Sequence, residues 1–168
     1  EERYAIKDVS VEVQPGDILA IMGRVGSGKS TILKQVVRLL DPQPERIFLD
    51  GVDVRDFSLS ELRKLVALVP QDPFLFAEPL KDNLTYDDPE RTLNLIWDAA
   101  SSADLSNTIE SFPDRLDTLI GERGVTLSGG QKQRATLARG LIRKAPVLIL
   151  DLSLIHIPEP TRLLRIAY

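Results

Sequence analysis

The stretch Gly23-Arg24-Val25-Gly26-Ser27-Gly28-Lys29-Ser30-Thr31 constrains this chain more than any other. A glycine, four residues and then Gly-Lys-Ser form a phosphate-binding loop pattern, set between an unbroken apolar run, Ile18 to Met22, and an amphipathic one, Thr31 to Leu40. Strand, loop and helix in that order require an α/β fold. Glycines at 23, 26 and 28 let the backbone curl with its N–H groups inward, an anion nest at the positive end of the following helix. Lys29 supplies a point charge for the β- and γ-phosphates, and the Ser30 hydroxyl can ligate a magnesium ion bridging them. Without the flanking runs the same residues would read as a Gly/Ser turn that happens to hold a lysine.

The 168 residues suffice for one ordinary domain with a core, and 43% hydrophobic with 27% charged residues is a globular balance. A net charge of −4 gives no global pull toward nucleic acid, so any polyanion must be held locally. Cysteine is absent, which removes disulfides and thiolate metal sites. No apolar run reaches the length of a bilayer span and the N-terminus lacks a signal-peptide pattern, so the chain itself is expected to be soluble.

In chain order, Ile6, Val9, Val11 and Val13 suit an edge strand ended by Pro15-Gly16, and Ile18 to Met22 suits a central parallel strand covered on both faces. Ile47 to Leu49, Asp50-Gly51 and Val52 read as a hairpin. Ser58 with Glu61 is a capping-box signature for a short helix through Lys64, and Val66 to Val69 is a strand ending at Pro70-Gln71-Asp72-Pro73, where Gln71 is left free to point. From Asp82 to Phe112 the pattern is helical, with Asp88-Pro89 as N-cap and first-turn proline before a helix carrying Leu93, Ile96 and Trp97. Gly121-Glu122-Arg123-Gly124 is a glycine-bracketed ion-pair candidate. Leu127-Ser128-Gly129-Gly130-Gln131 then opens a basic helix holding Lys132, Arg134, Arg139 and Arg143. Val147 to Leu150 reads as a buried strand emptying onto Asp151. The expected architecture is a mostly parallel sheet flanked by helices, with an antiparallel N-terminal β part and a helical insert.

The phosphate loop alone specifies only a nucleotide. Leu127 to Arg134, however, resembles the signature motif of ATP-binding cassette (ABC) proteins, and Ser128 with the N–H groups of Gly129 and Gly130 makes a second anion site in the same chain. The match runs from residue 5 to residue 151 and implies the P-loop NTPase fold of an ABC ATPase domain, with a helical signature subdomain at about 82–135. In that family two cassettes pack head to tail, each ATP lying between one cassette's phosphate loop and the other's signature. The resemblance therefore implies that Ser128, Gly129, Gly130 and Gln131 face the ATP of a partner cassette, identical or not. It implies that Gln71 is the nucleotide-facing Q-loop glutamine, ligating magnesium or the attacking water, and that Asp151, ending the Walker B strand, holds magnesium with Ser30. Gln71 to Phe76 and the run Thr118 to Gly124 are similar to the Q-loop and X-loop of multidrug and lipid exporters. There Gly121, Glu122, Arg123 and Gly124 would touch transmembrane domains fused upstream, placing the intact protein on the cytoplasmic face of a membrane. The bland reading of Glu122 and Arg123 is a solvated salt bridge, under about 1 kcal/mol.

Several positions depart from the family pattern. The adenine-stacking aromatic of these exporters lies before the position of Tyr4. Where the family has a glutamate acting as general base, this chain has Leu152, and a side chain that cannot accept a proton forfeits about 10²–10⁴ in rate. His156 follows Asp151 too closely to be the family's switch histidine. Leu152 to Arg162 instead resembles the translation of a transposon-end adapter used in sequencing libraries, Pro158 aside, and Ile166-Ala167-Tyr168 continues the likeness. The expectation is a partial ABC ATPase domain over 1–151, lacking the C-terminal part of its fold, followed by a non-native tail over 152–168. Two rival readings are a non-hydrolysing half of a heterodimeric exporter and a soluble, non-transport ABC ATPase.

Overall fold

The computed structural model describes residues 9–121 and 125–151. Tyr4, Ile6, the Glu122-Arg123-Gly124 tip and the whole stretch from Leu152 to Tyr168 lie outside the described residues, and with them the ion-pair and tail expectations.

Helix α1 spans Lys29–Val36 directly after the glycine loop. It stops short of the Leu40 expected from its periodicity, since Arg38 takes a left-handed conformation (φ 50°) and turns the chain. The Arg38 guanidinium donates to the carbonyls of Val54, Arg55 and Phe57, holding the chain after α1 to the chain after the hairpin. That hairpin pairs β1, Phe48–Leu49, with β2, Val52–Asp53, antiparallel. Asp50 and Gly51 both have positive φ, as a two-residue type I′ connection demands.

The Ser58 and Glu61 capping box is present and opens α2, Leu59–Leu65. It runs straight into β3, Val66–Val69, which pairs in parallel with β4, Val147–Leu150. The register matches Val66 to Val147 and Val69 to Leu150, and the Asp151 N–H donates to the Val69 carbonyl, so the chain ends after both strands lie side by side.

Between the two strands lies the helical part: α3, Leu80–Leu84; α4, Leu93–Ser102; α5, Ser106–Glu110; a 3₁₀ turn, Arg115–Asp117; and α6, Gly129–Leu141. Asp88-Pro89 does not start a helix. The N-cap of α4 is Thr92, and Asp88 is spent on a turn, its carboxylate accepting from the Glu90 N–H and its carbonyl from the Arg91 N–H. Leu80 and Leu84, Ile96 and Ala100, Leu105 and Ile109, and Ala135 and Ala138 form one buried cluster, with Trp97 packed against its rim. Each large aliphatic fully withdrawn from water contributes about 1.5–3 kcal/mol. A second cluster joins Val54, Leu62, Val66 and Ile149 to Leu33 and Val36 of α1. Helix α6 packs on β3 between the two. Gly140 is the point of closest approach, because a side chain there would overlap Val69.

Two strand expectations fail. Ile18 to Met22 is extended but carries no ladder in the described residues, with Ile18 and Met22 more than four-fifths exposed. Val9, Val11 and Val13 are likewise exposed and outside any strand. Strand β4, expected to be buried, buries only Ile149, while Val147, Leu148 and Leu150 are partly exposed. An apolar run is fit to be a central strand, but it becomes one only where a neighbour offers the complementary row of N–H and C=O groups.

Candidate nucleotide site

The loop curls as its glycines dictate. Gly26 and Gly28 sit at φ 80° and 90°, where a side chain would be strained, and a Cβ on Gly23 would lie 2.7 Å from the Ser27 hydroxyl. Lys29 folds back over this curve. Its ammonium donates to the carbonyls of Gly23 (2.7 Å) and Arg24 (2.8 Å) and lies 3.5 Å from the Ser27 Oγ, so the charge is held inside the loop. Gly28 is the N-cap of α1 and offers no side-chain acceptor, which leaves the first-turn N–H groups to an outside anion. Arg24, Val25 and Gly26 form the exposed outer bend, and Thr31 is exposed on the first turn.

Ser30 and Asp151, 121 positions apart, are joined by a hydrogen bond: the Ser30 Oγ donates to Asp151 Oδ1 at 3.1 Å. Hydroxyl and carboxylate are hard oxygen donors suited to magnesium. The described residues hold no cluster of three or more His, Cys, Asp or Glu able to cage a metal, so a cation here would need oxygens from its ligand, as magnesium in nucleotide sites commonly has. Gln71 is exposed, two residues past the end of β3, and the parallel register brings that strand end beside Asp151. No hydrogen bond ties its amide down among the described contacts. Ser30, Asp151 and Gln71 thus gather at one end of the β3–β4 pair.

The signature stretch lies at the start of α6. Ser128 caps α6 through a full capping box, accepting from the Gln131 N–H (3.2 Å) while the Gln131 side chain accepts from the Ser128 N–H (2.8 Å). Ser128, Gly129 and Gly130 are exposed. Among the described residues no hydrogen bond joins the signature to the phosphate loop.

Gly121, at φ 114°, packs its Cα side against Ala77, which a Cβ would approach to 3.1 Å. Around it, Leu80 N–H donates to the Thr118 carbonyl, Ile120 N–H to Glu78 and Val125 N–H to Leu119. The base of the 121–124 loop is therefore laced to the segment that follows Gln71.

Two residues at this junction escaped the sequence reading. Asn83 is fully buried: its Oδ1 accepts from the Phe76 N–H (2.7 Å), and its Nδ2 donates to the carbonyls of Phe76, Glu78 and Pro79. Arg139 reaches it from α6, donating to the Asn83 carbonyl (2.7 Å), to Asn83 Oδ1 (2.9 Å) and to the Phe74 carbonyl (2.8 Å). Its guanidinium lies 5.7 Å and 5.1 Å from the Phe76 and Tyr86 rings. The available signal was position. Arg139 follows Ala135 by four residues and precedes Ile142 by three, so it borders the apolar stripe of its helix.

Comparison with known proteins fits this geometry. The ABC transporter family profile matches residues 6–153. The chain is 45% identical over 151 residues to the ABC transporter aclQ of Aspergillus oryzae, covering 90% of this chain and 19% of that protein. It is 46% identical over 152 residues to the ATP-dependent lipid A-core flippase of Vibrio cholerae, covering 90% of this chain and 26% of the flippase. A bacterial Atm1-family ABC exporter solved with ATP bound superimposes with a TM-score of 0.70 at 37% identity, over 76% of this chain and 22% of that one. The chain thus spans about a fifth to a quarter of the length of the proteins it matches. With a P-loop α/β fold, a capped signature helix and exporters among its relatives, the chain belongs to the ABC transporter family.

Proposed function

We propose that this chain is an ATP-binding domain that, within an intact exporter, works as one of a pair of cassettes driving membrane domains. The observation that carries this reading is the Ser30–Asp151 hydrogen bond, because it makes the phosphate loop and the end of β4 two walls of one site. The first-turn N–H groups of α1 take the phosphates, and Lys29 exchanges its carbonyl partners for phosphate oxygens. Magnesium, held by Ser30 and Asp151 with the Gln71 amide nearby, would neutralise charge on the β- and γ-phosphates. Gln71 orients water or metal. The exposure of Ser128, Gly129 and Gly130 supports the view that they serve the nucleotide of a partner cassette. Leu119, exposed two positions before Gly121, supports a docking role there toward transmembrane domains.

Leu152 in the family's general-base position favours binding without turnover. Residues 152–168 are proposed to be a non-native tail. No described helix is long and apolar enough to cross a membrane, so membrane attachment is assigned to other parts of the intact protein. Asp151→Ala is expected to weaken ATP binding in magnesium while leaving magnesium-free binding within about twofold, and phosphate release by the unmodified chain should not exceed background. Fluorescent-nucleotide titration with and without magnesium, alongside a phosphate-release assay, checks both. Equal magnesium dependence in the two proteins, or steady turnover, would refute the assignment.

A further inference from the structure

We propose that Arg139 and Asn83 are positioning residues that lock the loop after Gln71 to the helix begun by Ser128, so that the two nucleotide-facing ends of the chain move as one body. The proposal rests on the nucleotide-binding reading above.

The geometry is that of a cross-brace. Asn83 binds both backbone groups of Phe76 and the carbonyls of Glu78 and Pro79, so one buried amide fixes the whole return of the loop that leaves Gln71. A carboxamide presents an acceptor and a donor side by side, which suits the N–H and C=O of one residue. Arg139 then ties that loop to α6 with three hydrogen bonds, two of them to Asn83 and one to Phe74. Between these anchors the chain is short: Phe74 is three positions from Gln71, and Arg139 lies on the helix that Ser128 caps.

A brace made only for stability would not need a guanidinium here. Burial lowers the Arg139 pKa, opposed by the Tyr86 and Asp87 charges, yet an arginine starts so high that it remains charged. Withdrawing that charge from water is a cost that apolar packing between α3 and α6 would avoid. What the fork provides is direction. Two carbonyls and an amide oxygen aligned to one planar group define the angle between loop and helix, and the Phe76 and Tyr86 rings hold the plane from the side. The same loop is laced to residues 118–120, so the base of the 121–124 loop joins the braced unit.

Hydrogen exchange on the full chain tests this, with and without MgATP. In the unmodified chain MgATP is expected to slow exchange at the Phe76 amide and at the Gln131 amide together, by about tenfold each. Arg139→Lys keeps the charge but cannot make the three bonds. It should leave MgATP affinity within about threefold, retain slowing at residues 29–31, and abolish the response at Gln131. Asn83→Asp, which loses the donors to Phe76, Glu78 and Pro79, should do the same. A purely structural role would lower thermal stability in both variants while keeping the paired response, and that result overturns the proposal. If the unmodified chain does not bind MgATP, the nucleotide reading fails and the brace's stated role fails with it; binding with an unchanged paired response in both variants sinks the brace alone.

Discussion

At the scale of single residues, chemistry follows from which side chains are paired and which are left to a ligand. The phosphate loop was legible in sequence because its glycines, lysine and serine are spaced by backbone necessity, and the capping box at Ser58 was legible for the same reason, whereas the one at Ser128 came with the structure. Asn83 and Arg139 were not, since an asparagine in a helical stretch and an arginine in a basic helix look like solvated surface until a partner distant in sequence is known. Asp87 is a similar case. Burial alone would raise its pKa, but the Arg91 hydrogen bond (2.9 Å) with the charges of Arg91 and Arg143 outweighs it and holds the carboxyl below the ordinary aspartate range. A depressed folded-state pKa contributes stability above the unfolded value, about 3.9, that is lost as pH falls through the folded value. Asp87→Asn should therefore cost about 1 kcal/mol or less near neutrality in low salt, and the difference should shrink as pH falls through the depressed folded-state value, as read by urea unfolding near neutrality and in acid.

At the scale of elements, the contrast is between helices and strands. Helix signals are local: caps, periodicity and glycine stops sit within a few residues, so α2 and α6 formed where expected. The α4 start moved because Asp88 had a turn to close and Thr92 was the next residue able to begin the helix. Strands depend on neighbours. Val66 to Val69 and Val147 to Leu150 found each other across about 80 residues and became β3 and β4, whereas Ile18 to Met22, equally apolar, found no partner among the described residues. Contact between elements is tightest where α6 crosses β3 at Gly140, a position that sequence marks only as a helix-weakening glycine. Gly140→Ala should raise intrinsic helicity yet destabilise the chain by about 1–3 kcal/mol through overlap with Val69. Thermal unfolding of the variant checks this, and a stability equal to or above that of the unmodified chain would show that α6 can lift off the strand without cost.

At the scale of the whole molecule, the described residues form two apolar clusters, one including side chains of the helix beyond the phosphate loop and the other the helix that carries the signature. Family membership was legible from the order of motifs, and the fold class with it. The relation between the two anion sites needed coordinates, because only they reveal that Ser30 reaches Asp151 while Ser128 faces outward. The apolar side chains of Ile18, Met22, Leu148 and Leu150 are left exposed by the described residues. The proposed function turns on a magnesium-nucleotide site at the phosphate loop, Ser30 and Asp151. Calorimetric titration of the full chain with MgATP, run beside Lys29→Ala, tests for that site most directly. The prediction is saturable binding at one site, weakened at least about tenfold in the variant; no binding, or equal affinity in both proteins, would contradict it.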